Sequence, residues 1–217
     1  MPRKKETIMA ICAHNDDQII GAGGTLAKYA RAGKRVRTII FSFGESSHPH
    51  FKRKIIVTQR VKESLKSDKM LGGAGIAYFG LKERYFEHDF KKKRIAEKLA
   101  WIINHEKPAT IFTHSADDPH PDHRATHKLV MELAEKQNLN CDIYSFDIWN
   151  IVKMFRRNIP KLIVDITATF SLKIKALKVH KSQKLTMISL LWNIYLKAKF
   201  NGLYAGCRYA EVFYKLK

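Results

Sequence analysis

Apolar and polar residues along the chain fall into blocks whose period changes repeatedly. Residues 7–13, TIMAICA, are apolar almost without interruption and run into His14, the pattern of a buried strand. Ile19, Ala22, Leu26 and Ala30 then recur at helical spacing, and Gly33 closes that helix as a residue tolerating positive φ. RVRTIIFSF at 35–43 predicts a second strand, and 55–71 a helix with Val61, Leu65 and Leu71 among its apolar positions, ending at Gly72–Gly73. IAYFG at 76–80 is a third strand. A long helix is expected over 88–105, with Ile95, Leu99, Ile102 and Ile103 on one face. After Pro108 come a fourth strand, ATIFT at 109–113, the polar loop HSADDPHPDH, a helix near 122–137 and a fifth strand, CDIYSFDI at 141–148.

Strand and helix thus alternate five times, which predicts an α/β fold: a mainly parallel sheet with helices on both faces. The remainder differs. IVKMFRRNIPKLIVDIT over 151–167 suggests an antiparallel pair added at the sheet edge, 171–199 is helical in pattern, and 201–217 contains glycine and tyrosine. No linker interrupts the chain, so residues 1–217 are expected to form a single domain. In such sheets ligands bind beyond the carboxyl ends of the strands. His14 follows the first strand there, and His120–His123 follows the fourth.

Composition narrows the classes. With 45% apolar and 28% charged residues among 217, the chain is neither disordered nor fibrous. No apolar run reaches the roughly 18–20 residues that span a bilayer. The apolar stretch near the N-terminus is too short for a signal peptide, so a cytoplasmic location is expected. Cys12, Cys141 and Cys207 are far apart and form no CxxC pair, and the expectation is core thiols. The net charge of +20 attracts nucleic acid and anionic surfaces without specificity, and by itself selects no function.

Two short motifs carry candidate chemistry. In AHNDD at 13–17, His14 and Asp17 are three apart on a turn. In HPDH at 120–123, His120 and His123 repeat that spacing across a proline. A catalytic zinc takes three N/O ligands and keeps one position open, which His14, Asp17 and His123 satisfy, leaving Asp16 spare beside it. Asp117 and Asp118 in the same loop are read as a solvated turn or helix-entry pair.

AHNDDQIIGAGGTLAKYARAGKRV resembles the N-terminal signature of the LmbE-like, or PIG-L, family of zinc de-N-acetylases, normally written AHPDDE. RVKESLKSDKMLGG at 60–73, THSADDPHPDHRATH, HKSQ at 180–183 and YAEVF at 209–213 resemble its further motifs, in the family's order. The resemblance implies a Rossmann-like fold and hydrolysis of an N-acetyl group from an amino sugar of the N-acetylglucosamine type. It implies Zn²⁺ held by His14, Asp17 and His123, with another divalent ion compatible with the same donors. Asp16 matches the general base. His120 matches the residue that stabilises the oxyanion when protonated, with Asp122 beside it to orient and charge-balance the imidazole. Arg60 and Glu83 match substrate-binding positions. Asn15 stands where the family has proline and Gln18 where it has glutamate, so Gln18 removes a negative charge expected near the metal.

Three rival readings attach to particular features. GAGGTLA at 21–27 lacks the third glycine of a dinucleotide fingerprint and starts too late after the strand, so close helix packing is the better account. A basic nucleic-acid-associated protein would explain the charge, yet no binding module is present; an inactive family member would explain Asn15 and Gln18. MISLLWNIYLKAKF at 187–200 is read as a helix packed on the sheet with its lysines outward, in preference to peripheral membrane contact. A homo-oligomer is compatible with all of these.

Overall fold

A computed structural model describes residues 5–45, 52–149 and 159–217, without the side chains of 185–189. The expected alternation is present: β1 (Thr7–Cys12), α1 (Asp17–Arg31), β2 (Arg35–Ser42), α2 (Arg53–Leu71), β3 (Ile76–Leu81), α3 (Phe86–Lys92), α4 (Ile95–Glu106), β4 (Thr110–His114), α5 (Pro121–Lys136) and β5 (Asp142–Phe146). There follow β6 (Lys161–Asp165), α6 (Phe170–Leu177), a 3₁₀ turn at Lys181–Gln183, α7 (Lys184–Tyr204) and β7 (Ala210–Lys215).

The strands form one sheet in the order β3-β2-β1-β4-β5-β7-β6. β1 to β5 are mutually parallel, and β7 runs antiparallel to both β5 and β6. β1 is buried along its whole length, as its unbroken apolar run predicts. Its alternate residues feed two cores. Ile8, Ala10 and Cys12 meet Leu26 of α1, Phe170 of α6 and Ile194 of α7 on one face. Met9 and Ile11 meet Phe86, Leu99 and Leu129 of α3, α4 and α5 on the other. Of the three cysteines, only Cys12 is fully buried.

Three details depart from expectation. The helix expected over 88–105 is two helices, broken where Arg94 adopts φ 51°. No glycine or proline marks the break; packing overrides the roughly 1–2 kcal/mol cost of a left-handed residue, because it lets Phe86 and Phe90 reach the Phe41 ring. Of the antiparallel pair expected over 151–167, residues 151–158 lie outside the described residues, and the strand at 161–165 pairs instead with β7. That strand was hidden in the glycine- and tyrosine-containing stretch. Finally, the helical stretch after 170 is split by a turn at His180.

The small residues of α1 do serve close packing. A Cβ at Gly21 would lie 2.3 Å from the Phe146 ring, and one at Gly24 would lie 2.7 Å from Ile166. α1 is also clamped from the far end of the chain. Glu211 of β7 accepts hydrogen bonds from the amides of Gly24 (3.0 Å) and Thr25 (2.7 Å). Lys173 of α6 donates to Glu211 (2.7 Å) and to the Ile20 carbonyl (2.7 Å). Both side chains are almost fully buried.

Two outcomes follow for stability. Glu211→Ala strands a buried ammonium and two backbone donors, and is expected to cost about 3–5 kcal/mol in urea unfolding. Asp68 is the second case: burial raises its carboxyl to about 6 from 3.8, against the opposing Gly75 amide, Thr38 hydroxyl and Arg37 charge. A raised acid pKa means that the fold favours the neutral acid. That contribution is complete below 3.8 and is lost as pH rises through about 6. Asp68→Asn is therefore expected to flatten the dependence of Tm on pH between those values, gaining on the parent at neutral pH.

Candidate active site

The site forms where two strand-to-helix turns lie side by side. β1 and β4 are adjacent in the sheet, and the strand order reverses between them, the place where such sheets open a crevice. The β1–α1 turn carries His14, Asn15 and Asp16, with Asp16 as N-cap and Asp17 as the first helical residue. The β4–α5 turn carries His120 as N-cap, Pro121 in the first turn and His123 one residue further in than Asp122.

The fold brings His14, Asp17 and His123 together. His14 Nδ1 lies 3.2 Å from His123 Nε2 and 3.4 Å from Asp17 Oδ2, and His123 Nε2 lies 3.4 Å from Asp17 Oδ1. Donors arranged tetrahedrally around a zinc-sized ion are separated by about 3.3 Å; the two nitrogens have that spacing, and the Asp17 carboxylate meets each of them through a different oxygen. The other nitrogen of each imidazole faces a carboxylate: His14 Nε2 is 3.3 Å from Asp122 Oδ2, and His123 Nδ1 is 2.9 Å from Asp118 Oδ1. The second contact is close in distance and off the ideal hydrogen-bond angle. Such carboxylate–histidine pairs orient metal ligands and raise their basicity.

Two readings change here. Asp118 is not a solvated turn residue: it is 1% exposed and backs His123. Asp122 stands nearer His14, at 3.3 Å, than the Nδ1 of His120, at 4.0 Å, and both its oxygens accept from the Arg84 amide. Its carboxylate therefore couples first to His14. The Asp122 backbone amide, in turn, donates to His120 Nδ1 at 3.2 Å. That contact leaves the His120 proton on Nε2. Burial, then the charges of His14 and His123, push the His120 pKa down to about 4.

Asp16 and Arg60 are both buried, with Arg60 Nη2 3.5 Å from Asp16 Oδ1 and Nη1 donating to the Gly44 carbonyl. Both line a cleft of about 220 Å³ together with Glu83, His120, Trp149 and Leu190. A larger groove between α3, α4 and α5, about 780 Å³, shares none of these residues. Asn15 is fully buried and bonds the Phe43 carbonyl through Nδ2 at 2.7 Å. Gln18 turns its amide to the Asn15 carbonyl at 3.3 Å, so it braces the turn.

His114 was missed in the sequence. It closes β4, is fully buried, stacks on His123 at 4.0 Å and sets Nε2 3.1 Å from Asp17 Oδ2. The available signal was a histidine ending an apolar strand at the sheet's carboxyl edge. Two groups of three donors are close enough to share an ion, Asp17 with His114 and His123, and His14 with His120 and His123, and the expected ligands are divided between them.

If Asp118 orients a metal ligand, Asp118→Asn is expected to weaken metal binding about 10–100-fold, measured by competition with a chromogenic chelator, with unchanged circular dichroism.

The PIG-L family, described as GlcNAc-PI de-N-acetylase, matches residues 9–134. The chain is 28% identical to a diacetylchitobiose deacetylase of Thermococcus kodakarensis over 94% of its own length and 80% of that protein's. Among solved structures, N,N′-diacetylchitobiose deacetylase from Pyrococcus horikoshii superposes with a TM-score of 0.81 at 24% identity, covering 99% of this chain and 85% of that one. A 4-carboxy-2-hydroxymuconate hydratase of Pseudomonas putida superposes almost as well, with a TM-score of 0.80 at 20% identity over 98% and 96% of the two chains. The fold is thus shared by proteins of different chemistry, and the family match over residues 9–134 spans both the β1–α1 and β4–α5 turns. The chain belongs to the PIG-L family of GlcNAc-PI de-N-acetylases.

Proposed function

We propose that residues 1–217 act as one domain, a metal-dependent hydrolase that removes the N-acetyl group from an N-acetylglucosamine-type sugar, releasing acetate and a free amine. The observation that carries this reading is the cleft in which Asp16 and His120 flank three side chains, His14, Asp17 and His123, whose donor atoms lie 3.2–3.4 Å from one another's. Similarity to a diacetylchitobiose deacetylase along 94% of the chain makes an N-acetylated chitooligosaccharide the first substrate to test.

His14, Asp17 and His123 would hold the ion, with zinc the natural occupant of this donor set. When bound, a divalent ion lowers the pKa of water and polarises the amide carbonyl. The chain's own groups do the rest. Asp16 takes a proton from the attacking water and returns it to the leaving nitrogen as the C–N bond breaks. His120, held with its proton on Nε2, donates that N–H to the developing oxyanion. Arg60 keeps the Asp16 carboxylate turned toward the cleft, and Glu83 at the rim is placed to accept from sugar hydroxyls.

The test separates metal from base. Asp16→Ala is expected to keep its metal by elemental analysis while acetate release falls about 10²–10⁴-fold. A chelator should abolish the parent's activity and added zinc restore it. Full activity in the Asp16 variant would overturn this mechanism; hydration of an unsaturated tricarboxylate with no acetate released would move the chain to the hydratase chemistry of its structural neighbour.

A further inference from the structure

α7 is apolar on two opposite faces. Leu190, Ile194 and Ala198 pack into the core beside α1 and α6. The outward face was expected to carry lysines. Instead it shows Trp192 (72% exposed), Leu196 (50%), Phe200 (57%) and Leu203 (66%), with Tyr195 and Tyr204 beside them. Spacings of four, four and three align these side chains in one stripe. Lys199 is the one charged residue of α7 that is exposed between 192 and 204. A helix apolar all round calls for a cover on both sides, and a contiguous apolar patch on a surface marks a contact site.

Charge identifies the cover. α7 contains no aspartate or glutamate; its charges are Lys184, Lys197 and Lys199. Lys199 and Arg208 both stand over the Tyr209 ring, at 5.9 and 5.5 Å, at the edge of the stripe. A second copy of the chain would bring another net charge of +20 against the first. Nucleic acid would satisfy the cations and leave Leu196 and Leu203 in water. An anionic bilayer meets both demands: acyl chains take the Leu and Phe side chains, Trp and Tyr settle at headgroup depth, and phosphates meet Lys199 and Arg208. Among the described residues no helix is long and apolar enough to cross a membrane, so the helix would lie in the interface.

We propose that α7 is an interfacial docking helix which lays the Trp192–Leu196–Phe200–Leu203 stripe on an anionic phospholipid surface. The inference stands apart from the assigned chemistry, although the helix is shared: Leu190 lines the active-site cleft two residues before Trp192.

The test is sedimentation of the full chain with phosphatidylglycerol or phosphatidylcholine vesicles. The parent is expected to bind the anionic vesicles at least tenfold more tightly, with a blue shift of tryptophan fluorescence. W192S/F200S/L203S should lose at least tenfold of that binding with circular dichroism and metal content unchanged. Phe200→Glu alone is the second variant should the triple fail to fold, and the same loss is expected. Absence of binding, equal binding to both lipids, or variants that bind as the parent does would overturn the proposal. A parent that self-associates in light scattering, with variants that do not, would assign the stripe to a second copy instead.

Discussion

Asp17 is 3% exposed and lies within 3.1–3.4 Å of the His14, His114 and His123 side chains, while the His14 amide donates to it at 2.7 Å. Burial alone would raise its pKa; the opposing charges of His123, His114 and His14 outweigh that and hold it well below the ordinary value. A buried carboxylate survives only if something positive stays beside it. Protons on His14 and His123, both with raised pKa, do this, and on the proposed chemistry a divalent cation would do it while freeing the same nitrogens as ligands. Metal and protons therefore compete for one set of atoms, as expected where ligands must be deprotonated to bind. The two turns, the strand order and the burial of His114 all serve to keep this charge arrangement dry.

α2 is the second support. Ser64 donates to the Asn15 carbonyl at 2.9 Å, and Arg60 reaches Asp16, so one helix grips the β1–α1 turn. Glu63 accepts from the amide and hydroxyl of Ser182, and Ser67 meets His180 Nε2 at 3.1 Å. The R-x-x-E and HKSQ motifs, far apart in sequence, are thus two halves of one joint. Asn15 stands where the family has a rigid proline and makes a hydrogen bond to the Phe43 carbonyl just past β2, which accounts for its burial without loss of the turn.

Much of this was legible in the chain because it is local. Unbroken apolar runs mark strands buried on both faces, and histidines at their carboxyl ends mark the crevice. What stayed hidden depends on long-range partners. Asp118 looks like any acidic loop residue until His123 folds over it. The break at Arg94 has no turn residue and is imposed by the Phe41 cluster. β7 reads as loop because its pairing partners, β5 and β6, lie far upstream, and the α7 stripe reads as core because pattern alone does not say how many faces a neighbour will cover.

The clamp on α1 joins residues 187 positions apart, Gly24 and Glu211. Every residue assigned to chemistry has left the ribosome once His123 has emerged, yet the helix that begins with Asp17 is not pinned until β7 is made. On the proposed chemistry, the ion would reach its final geometry only late in biosynthesis, timed by a glutamate that never touches it.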